Sequence, residues 1–409
     1  MKALVKSRPP AAGTWPEGLR LTDRPVPVRR SASEVIVKVI AGGICGTDVG
    51  IYHSKDSLRT SMAGIGGDDV VIGHEFCGEI DETGTRAATI LARKILSAHG
   101  KDRAVRRFAG SKTPGGVART KGFADFLREH FIVTAEMHVT CGSCAQCRIG
   151  EFHVCTNTLI RGLHADGAFA SRVALPGENI VLFRRGEIPE EIVAFMDAIG
   201  NATHTVQSLA EVRGKSVVVL GAGVIGLMSV AIAKGAGAKT ILVTDASHGK
   251  NTHAKLIGHR FRVARALGAD ECFDVALPSG KKDFYRAALS RNHGAGADAV
   301  LEMSGNYGAY ADAFHVVRKG GEISLLGLTA GTLPVDFSRD VIFPGVTIHG
   351  VIGRRVWSTW EMMTRLLKNG LARRFERAGF VTHRFPLAEF EKGFRAIADG
   401  DALKVLLRP

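Results

Sequence analysis

Residues 216–245 read SVVVLGAGVIGLMSVAIAKGAGAKTILVTD, and this stretch decides the fold. Ser216–Leu220 is a run of β-branched and apolar residues, the pattern of a strand buried on both faces. Gly221-Ala-Gly223-Val-Ile-Gly226 follows at once and opens an apolar helical segment. A second strand, 240–244, ends at Asp245, 24 residues after Gly221. The glycines permit a tight turn and close approach of backbone to a pyrophosphate. The helix N-terminus supplies N–H donors and partial positive charge, and an acid at that distance can accept from ribose hydroxyls. Strand, glycine turn, helix and acid in this order predict a dinucleotide site on a doubly wound parallel sheet.

Outward from this stretch the rhythm persists. RFRVARALG predicts a helix before a strand at 269–274, and 297–303 and 322–326 predict further strands. The alternation makes an α/β region over 191–345. Upstream the pattern is different. EVIVKVI (34–40) alternates as a strand, and short β-rich pieces at 70–73 and around HEFCGEI are punctuated by Gly and Pro, as in an antiparallel barrel. Residues 86–109 interrupt this region, with Ala87, Ile90, Leu91, Ile95 and Leu96 at helical spacing. Residues 110–122 read as loop and 123–130 as a further helical turn or two. Beyond 345, WSTWEMMTRLLKNG predicts a helix and 404–407 a last strand. Arg373, Arg374 and Arg377 read as a solvated helix face or linker.

The 409 residues suit two or three domains, and 45% apolar against 23% charged content is that of an ordinary folded chain. No apolar run reaches the ~18 residues of a membrane span, and MKALVKSRPP lacks the apolar core of a secretory signal. The cytoplasm is the expected compartment. Formal charge is +14, but residues 81–133 carry 11 Lys/Arg against 5 Asp/Glu, and 246–265 carry 5 Lys/Arg and no acid. The excess therefore sits in two basic insertions. No nucleic-acid motif accompanies them, so no nucleic-acid partner is expected.

Seven cysteines are present, and Cys141, Cys144, Cys147 and Cys155 fall within fifteen residues. In a long chain with no export signal, such density points to metal rather than disulfides. Four thiolates suit tetrahedral zinc with no open position, hence a structural role. Iron–sulfur clusters use the same ligand set, but nothing else here suggests electron transfer. Cys45, with His74 and Glu75, offers a second set with fewer soft ligands and room for a substrate.

CGTD (45–48), GHE (73–75), the four-cysteine lobe and GAGVIG, in this order, resemble the zinc-containing medium-chain dehydrogenases. CGTDVGIYH, AEMHVTCGSCAQCRIGEFHVCTNT, DAIGNATHT and GVIGRRVWSTW followed by VTHRF are similar to the threonine-oxidising branch of that family. The resemblance fails over 81–130 and about 246–258. It implies a GroES-like, β-rich catalytic domain over 1–190, interrupted by the basic insertion. It further implies a Rossmann domain over 191–345 and a segment 346–409 returning to the catalytic domain. It implies NAD as cofactor, two zinc ions per chain, L-threonine as the substrate oxidised to 2-amino-3-oxobutanoate, and a homotetramer. Carried over by position, catalytic zinc falls on Cys45, His74 and Glu75, with Asp197 as fourth ligand or proton acceptor. Thr47 matches the hydroxyl that relays the alcohol proton, and His138 a substrate-side histidine. Gly221, Gly223, Ile225, Gly226, Asp245, Arg260, Leu326, Gly327, Leu328, Val351 and Ile352 match nucleotide contacts. Where the family pattern reads CGTDVH, with a histidine that hands the proton to solvent, this chain has Gly50; His53, three residues on, is the candidate catalytic residue to take over that relay. Lys250 and Lys255 lie just after Asp245 and are candidates to admit a 2′-phosphate. Oxidation of another vicinal diol or amino-alcohol, and a non-catalytic dinucleotide-binding relative, are the competing readings. Cys45, Thr47, His74 and Glu75 favour an enzyme.

Overall fold

The computed structural model describes residues 1–63, 67–247, 251–328 and 331–409, with side chains of the helix Asn251–Leu267 described from Leu256 onward. Its parallel sheet has six strands. In spatial order they are Glu271–Asp274, Thr240–Asp245, Ser216–Leu220, Ala297–Glu302, Val317–Leu325 and Thr347–Gly350. Numbered along the chain this is 3-2-1-4-5-6, the doubly wound order, with its switch point between Ser216–Leu220 and Ala297–Glu302. All five residues of Ser216–Leu220 are buried because helices cover both faces. Each buried Val or Leu there contributes about 1.5–3 kcal/mol relative to exposure.

The second large sheet has seven strands and is mainly antiparallel. Its central strand, Glu34–Gly43, pairs with Phe76–Thr83 on one side and with Arg172–Pro176 and Lys404–Arg408 on the other. Leu406 stands opposite Gly43, so the C-terminal strand completes a sheet begun by the first fifty residues. A three-stranded sheet from Lys2–Ser7, Arg20–Asp23 and Asp69–Val71 flanks it.

The insertion is a layer on this sheet rather than an appendage. Helix Thr85–His99 buries Ala87, Ala88, Leu91, Ala92 and Ile95, while Ile90 stays half-buried. The buried face joins one apolar cluster with Val35, Val37, Phe76, Phe131 and Val133. The helical segment expected over 86–109 is broken after His99. Asp102 accepts from the N–H groups of Ala104 (2.8 Å) and Val105 (3.1 Å) and so caps a second helix, Arg103–Ala109. The expected loop over 110–122 contains a further short helix, Pro114–Ala118, capped by Thr113 with proline in its first turn. Both corrections come from capping side chains that hydrophobic periodicity does not register. Strands expected at 34–40 and 269–274 instead run Glu34–Gly43 and Glu271–Asp274. Lys101, Arg103, Arg106, Arg107, Lys112, Arg119 and Lys121 are exposed, without an acidic partner among the described residues. No helix among the described residues is long and apolar enough to cross a membrane.

Candidate active site

Cys45 ends the loop after Glu34–Gly43 and caps the helix Gly46–Tyr52. Its N–H donates to Asp48 Oδ2 at 2.9 Å, and Asp48 Oδ1 lies 3.5 Å from His74 Nδ1. Asp48 is fully buried, so one carboxylate fixes the loop through the Cys45 N–H and sets a negative charge beside the imidazole. Gly73, at φ +94°, turns the chain into His74, and a Cβ there would strike the Phe169 ring at 2.5 Å. Gly43 gives Glu75 its space: a Cβ would meet Glu75 Oε2 at 2.5 Å. The ligand atoms of Cys45, His74 and Glu75 all lie within 4.8 Å of one another. His74 Nδ1 and Glu75 Oε1 are buried without a hydrogen-bond partner. A thiol, an imidazole and a carboxylate converging with an orphaned buried oxygen are the donor set of a divalent cation, and zinc fits it. Lys404, itself buried, ion-pairs with Glu75 and donates to the Ile44 carbonyl at 2.9 Å.

Thr47 Oγ1 is 4.0 Å from Cys45 Sγ. His53 stands apart. It caps the end of Gly46–Tyr52, packs edge-on to Tyr52, and has its Nδ1 3.8 Å from Glu17 Oε2 at the surface. Gly50 is buried, and a Cβ there would lie 2.7 Å from Leu58 Cδ1 and 3.6 Å from Lys55 Cδ. Leu58 of helix Asp56–Met62 occupies the space a larger side chain would need.

Asp197 begins the helix Met196–Gln207 and is buried. Its Oδ1 lies 2.7 Å from Arg354 Nη2, outside hydrogen-bond alignment. Arg354, 1% exposed, also donates from Nε to Glu136 Oε2 at 2.7 Å and from Nη2 to Glu136 Oε1 at 2.5 Å. Trp360 Nε1 donates to Glu136 Oε2 at 2.7 Å, and His138 Nδ1 lies 2.8 Å from Glu136 Oε1. Burial alone would raise the Glu136 carboxyl, but Arg354 and His138 hold it well below the usual carboxylate range. Arg354 thus ties the half-buried His138 to Asp197 through an ionic network whose centre, Glu136 and Arg354, is closed to solvent. None of Glu136, Arg354 and Trp360 was singled out from sequence, though all three stand inside the phrases AEMHVTCG and GRRVWSTW.

Cys141, Cys144, Cys147 and Cys155 also bring their sulfurs within 4.8 Å of one another. The Cys141–Cys155 and Cys144–Cys155 separations are 3.6 and 3.8 Å, and all four are free thiols. These distances are far from the ~2.05 Å of a disulfide. Backbone N–H groups of Ser143 and Cys144 push the Cys141 thiol down, and those of Cys147 and Thr156 do the same for Cys144. Burial and the neighbouring sulfurs push the Cys147 thiol up to about 12, so the protein alone favours the thiolate at Cys141 and Cys144 and not at Cys147.

At the switch point Gly221 has φ +103° and lies against Ser304. A Cβ on Gly226 would strike the Gly221 carbonyl at 1.9 Å, so glycine alone closes this turn. Gly223 faces open space, and helix Val224–Gly235 has no side-chain cap there. That cradle fits a pyrophosphate. Ile225 is half-buried on the first turn. Asp245 Oδ1 accepts from the Ala246 N–H at 2.9 Å, and Arg260 Nη1 donates to Oδ2 at 2.8 Å. Leu326 and Gly327 donate from their N–H groups to the Glu302 carbonyl, and Val351 to that of Leu325. Leu328 and Ile352 are exposed at 95% and 62%. Lys250, and the side chain of Lys255, lie outside the described residues.

Two family models match. Residues 31–120 match the alcohol dehydrogenase GroES-like domain, and residues 224–369 match the zinc-binding dehydrogenase domain. The chain is 33% identical to L-threonine 3-dehydrogenase of Caldanaerobacter subterraneus over 393 residues, 96% of each protein. It is likewise 33% identical to L-threonine 3-dehydrogenase of Bacillus subtilis, over all of this chain and 99% of the other. The chain belongs to the zinc-containing alcohol dehydrogenase family. In fold it matches an alcohol dehydrogenase of Thermotoga maritima (TM-score 0.76, 21% identity, all of this chain and 99% of that one). Galactitol-1-phosphate dehydrogenase of Escherichia coli superposes with TM-score 0.74 at 21% identity, over the full length of both.

Proposed function

We propose that this dehydrogenase oxidises the secondary hydroxyl of L-threonine with NAD, giving 2-amino-3-oxobutanoate. The observation that carries this reading is a Cys45–His74–Glu75 donor cluster in a chain one-third identical, end to end, to L-threonine 3-dehydrogenases. Cys45, His74 and Glu75 would hold the catalytic zinc, Asp197 lying outside that three-residue cluster with its carboxylate against Arg354, and the four-cysteine lobe a second, structural zinc. When bound, zinc supplies Lewis acidity toward the alcohol oxygen and the nicotinamide supplies the hydride acceptor. The chain's own residues do the rest. Asp48 and Lys404 orient His74 and Glu75, the hydroxyl of Thr47 takes and passes the alcohol proton, and His138 faces the substrate side, its Nδ1 held by Glu136. Gly221, Gly223 and Gly226 admit the pyrophosphate, and Asp245 and Arg260 hold the adenosine end. A homotetramer in the cytoplasm completes the reading. Exposed Phe337, Ile342 and Phe343, near the edge strand Thr347–Gly350, support self-association.

The test is NADH formation by zinc-loaded enzyme with L-threonine, butane-2,3-diol and sorbitol. L-threonine is expected to give the highest kcat/KM; a higher value for either diol or polyol overturns the substrate assignment.

Cofactor choice gives a separate expectation. Asp245 can accept from ribose hydroxyls and repels a 2′-phosphate, so kcat/KM for NAD should exceed that for NADP at least tenfold. Asp245→Ala should narrow that ratio. Equal values in the parent enzyme would show that the basic segment after Asp245 overrides the acid.

Proton release follows from Leu58. Without an imidazole at position 50, turnover should rise with pH through the neutral range. Gly50→His alone is expected to gain little, because the ring must displace Leu58. Gly50→His with Leu58→Ala should raise kcat at pH 7 by up to about 10²-fold, the scale of one positioned acid–base group. A pH–rate profile identical to that of the parent would mean that the proton leaves by another route.

A further inference from the structure

We propose that a cleft between the insertion helix Thr85–His99 and the helix Ser358–Leu366 binds a small anion carrying a flat apolar ring. The cleft has a volume of about 1190 Å³, ample for a drug-sized molecule. The insertion contributes Ile90, Arg93 and Lys94 to its wall; the C-terminal region contributes Trp357, Trp360 and Arg365.

The two walls are fastened together. Lys94 Nζ donates to the carbonyls of Glu178 (2.5 Å) and Ile180 (2.6 Å) and sits 5.0 Å from the centre of the Trp357 ring. Its charge is thus committed to holding the cleft's shape, and burial lowers its pKa to about 8. Lys368, also in the lining, is committed to Glu187 at 2.7 Å. Arg93 and Arg365 differ. Both are exposed, and neither has an acidic partner among the described residues. The lining's acids are Glu178, 3.9 Å from Arg86, and Glu361. Two guanidinium groups without an ion pair among the described residues, on separate helices of one lining that also holds Trp357 and apolar side chains, suit a carboxylate, sulfonate or phosphate ester attached to a planar ring. The glycine cradle at 221–226 is no part of this lining, so the ligand is one other than the dinucleotide. His138 lines the cleft as well, which sets an occupant next to the substrate-side network of Glu136 and Arg354.

Anilinonaphthalene sulfonate, a fluorescent ring-bearing anion, is the probe. It is titrated into zinc-loaded enzyme saturated with NAD, so that the dinucleotide cradle is filled. One saturable site per chain is expected. Arg93→Glu and Arg365→Glu should each weaken it at least tenfold, while threonine oxidation without the probe stays at the parent value. Arg107→Glu, on the exposed face of the insertion, should leave binding unchanged and so separates a site from general attraction to a cationic surface. Both cleft variants alter exposed side chains, and retention of the parent's Tm and circular dichroism checks their fold. Absence of saturable binding to the NAD-saturated enzyme, affinity within twofold of the parent in both cleft variants, or equal weakening by Arg107→Glu would each overturn the assignment.

Discussion

Arg354→Leu is expected to cost about 3–5 kcal/mol of unfolding stability, the scale for removing one partner from a buried ion pair. The reason is what it leaves behind. Glu136 would keep its His138 and Trp360 contacts but lose two guanidinium hydrogen bonds, and Asp197 would lose its neighbouring cation, both in places water does not reach. Replacing both members, Glu136→Gln with Arg354→Met, should cost less than Arg354→Leu alone, because no unpaired carboxylate remains at position 136. The pH dependence gives a second check, with its sign fixed by linkage. In the parent, Glu136 titrates below its unfolded value, so its contribution is present above about pH 4.3 and is lost as pH falls toward the folded pKa. In Arg354→Leu the stranded carboxyl is raised instead, and its penalty is relieved as pH falls. The gap between parent and variant should therefore be widest at neutral pH and shrink in acid. Urea titrations at pH 8 and pH 4.5 measure it. A single-variant cost under about 1 kcal/mol, or a gap independent of pH, would mean that Arg354 is not the centre of this network.

Much of this molecule could be read from its residues because the signals are local. A strand, three glycines, a helix and an acid at fixed offsets name a doubly wound sheet, and the backbone places Gly221, Gly223 and Gly226 at its switch point. Four cysteines in one short lobe can converge only on each other. Cys45 and His74-Glu75 are joined in the sequence by residue type and family resemblance rather than by spacing, since twenty-eight residues and a sheet edge separate the two halves. What stayed hidden is long-range. Nothing near Lys404 says that it reaches Glu75 across the sheet, and nothing near Arg354 says that its partners lie at 136 and 197. Leu58 beside Gly50 is hidden in the same way: the missing side chain is visible in the sequence, the one filling its space is not. The insertion's helices were legible where apolar spacing marked them and illegible where Asp102 and Thr113 set their starts.

The two cysteine-containing sites should separate cleanly under substitution. Wild-type enzyme is expected to carry two zinc ions per chain by elemental analysis. Cys45→Ser replaces a soft thiolate with a weak hydroxyl ligand in a set of three and should lower the count to one. Turnover should fall by at least about 10³-fold, the several kcal/mol that Lewis-acid stabilisation of developing charge supplies. Its Tm should stay near the parent value, because Asp48, Lys404 and the sheet position that loop through contacts that do not use the thiol. Cys144→Ser should also lower the count to one, with the opposite balance. The lobe 141–155 holds only four-residue and three-residue helical turns. Its order then rests on its metal, and binding energy there is folding energy. Tm should drop, and chelator should unfold the lobe at lower concentration than in the parent, while turnover per folded chain is largely kept. Full turnover in Cys45→Ser would remove this cluster from catalysis. An unchanged Tm with two ions bound in Cys144→Ser would remove the lobe from any structural metal role.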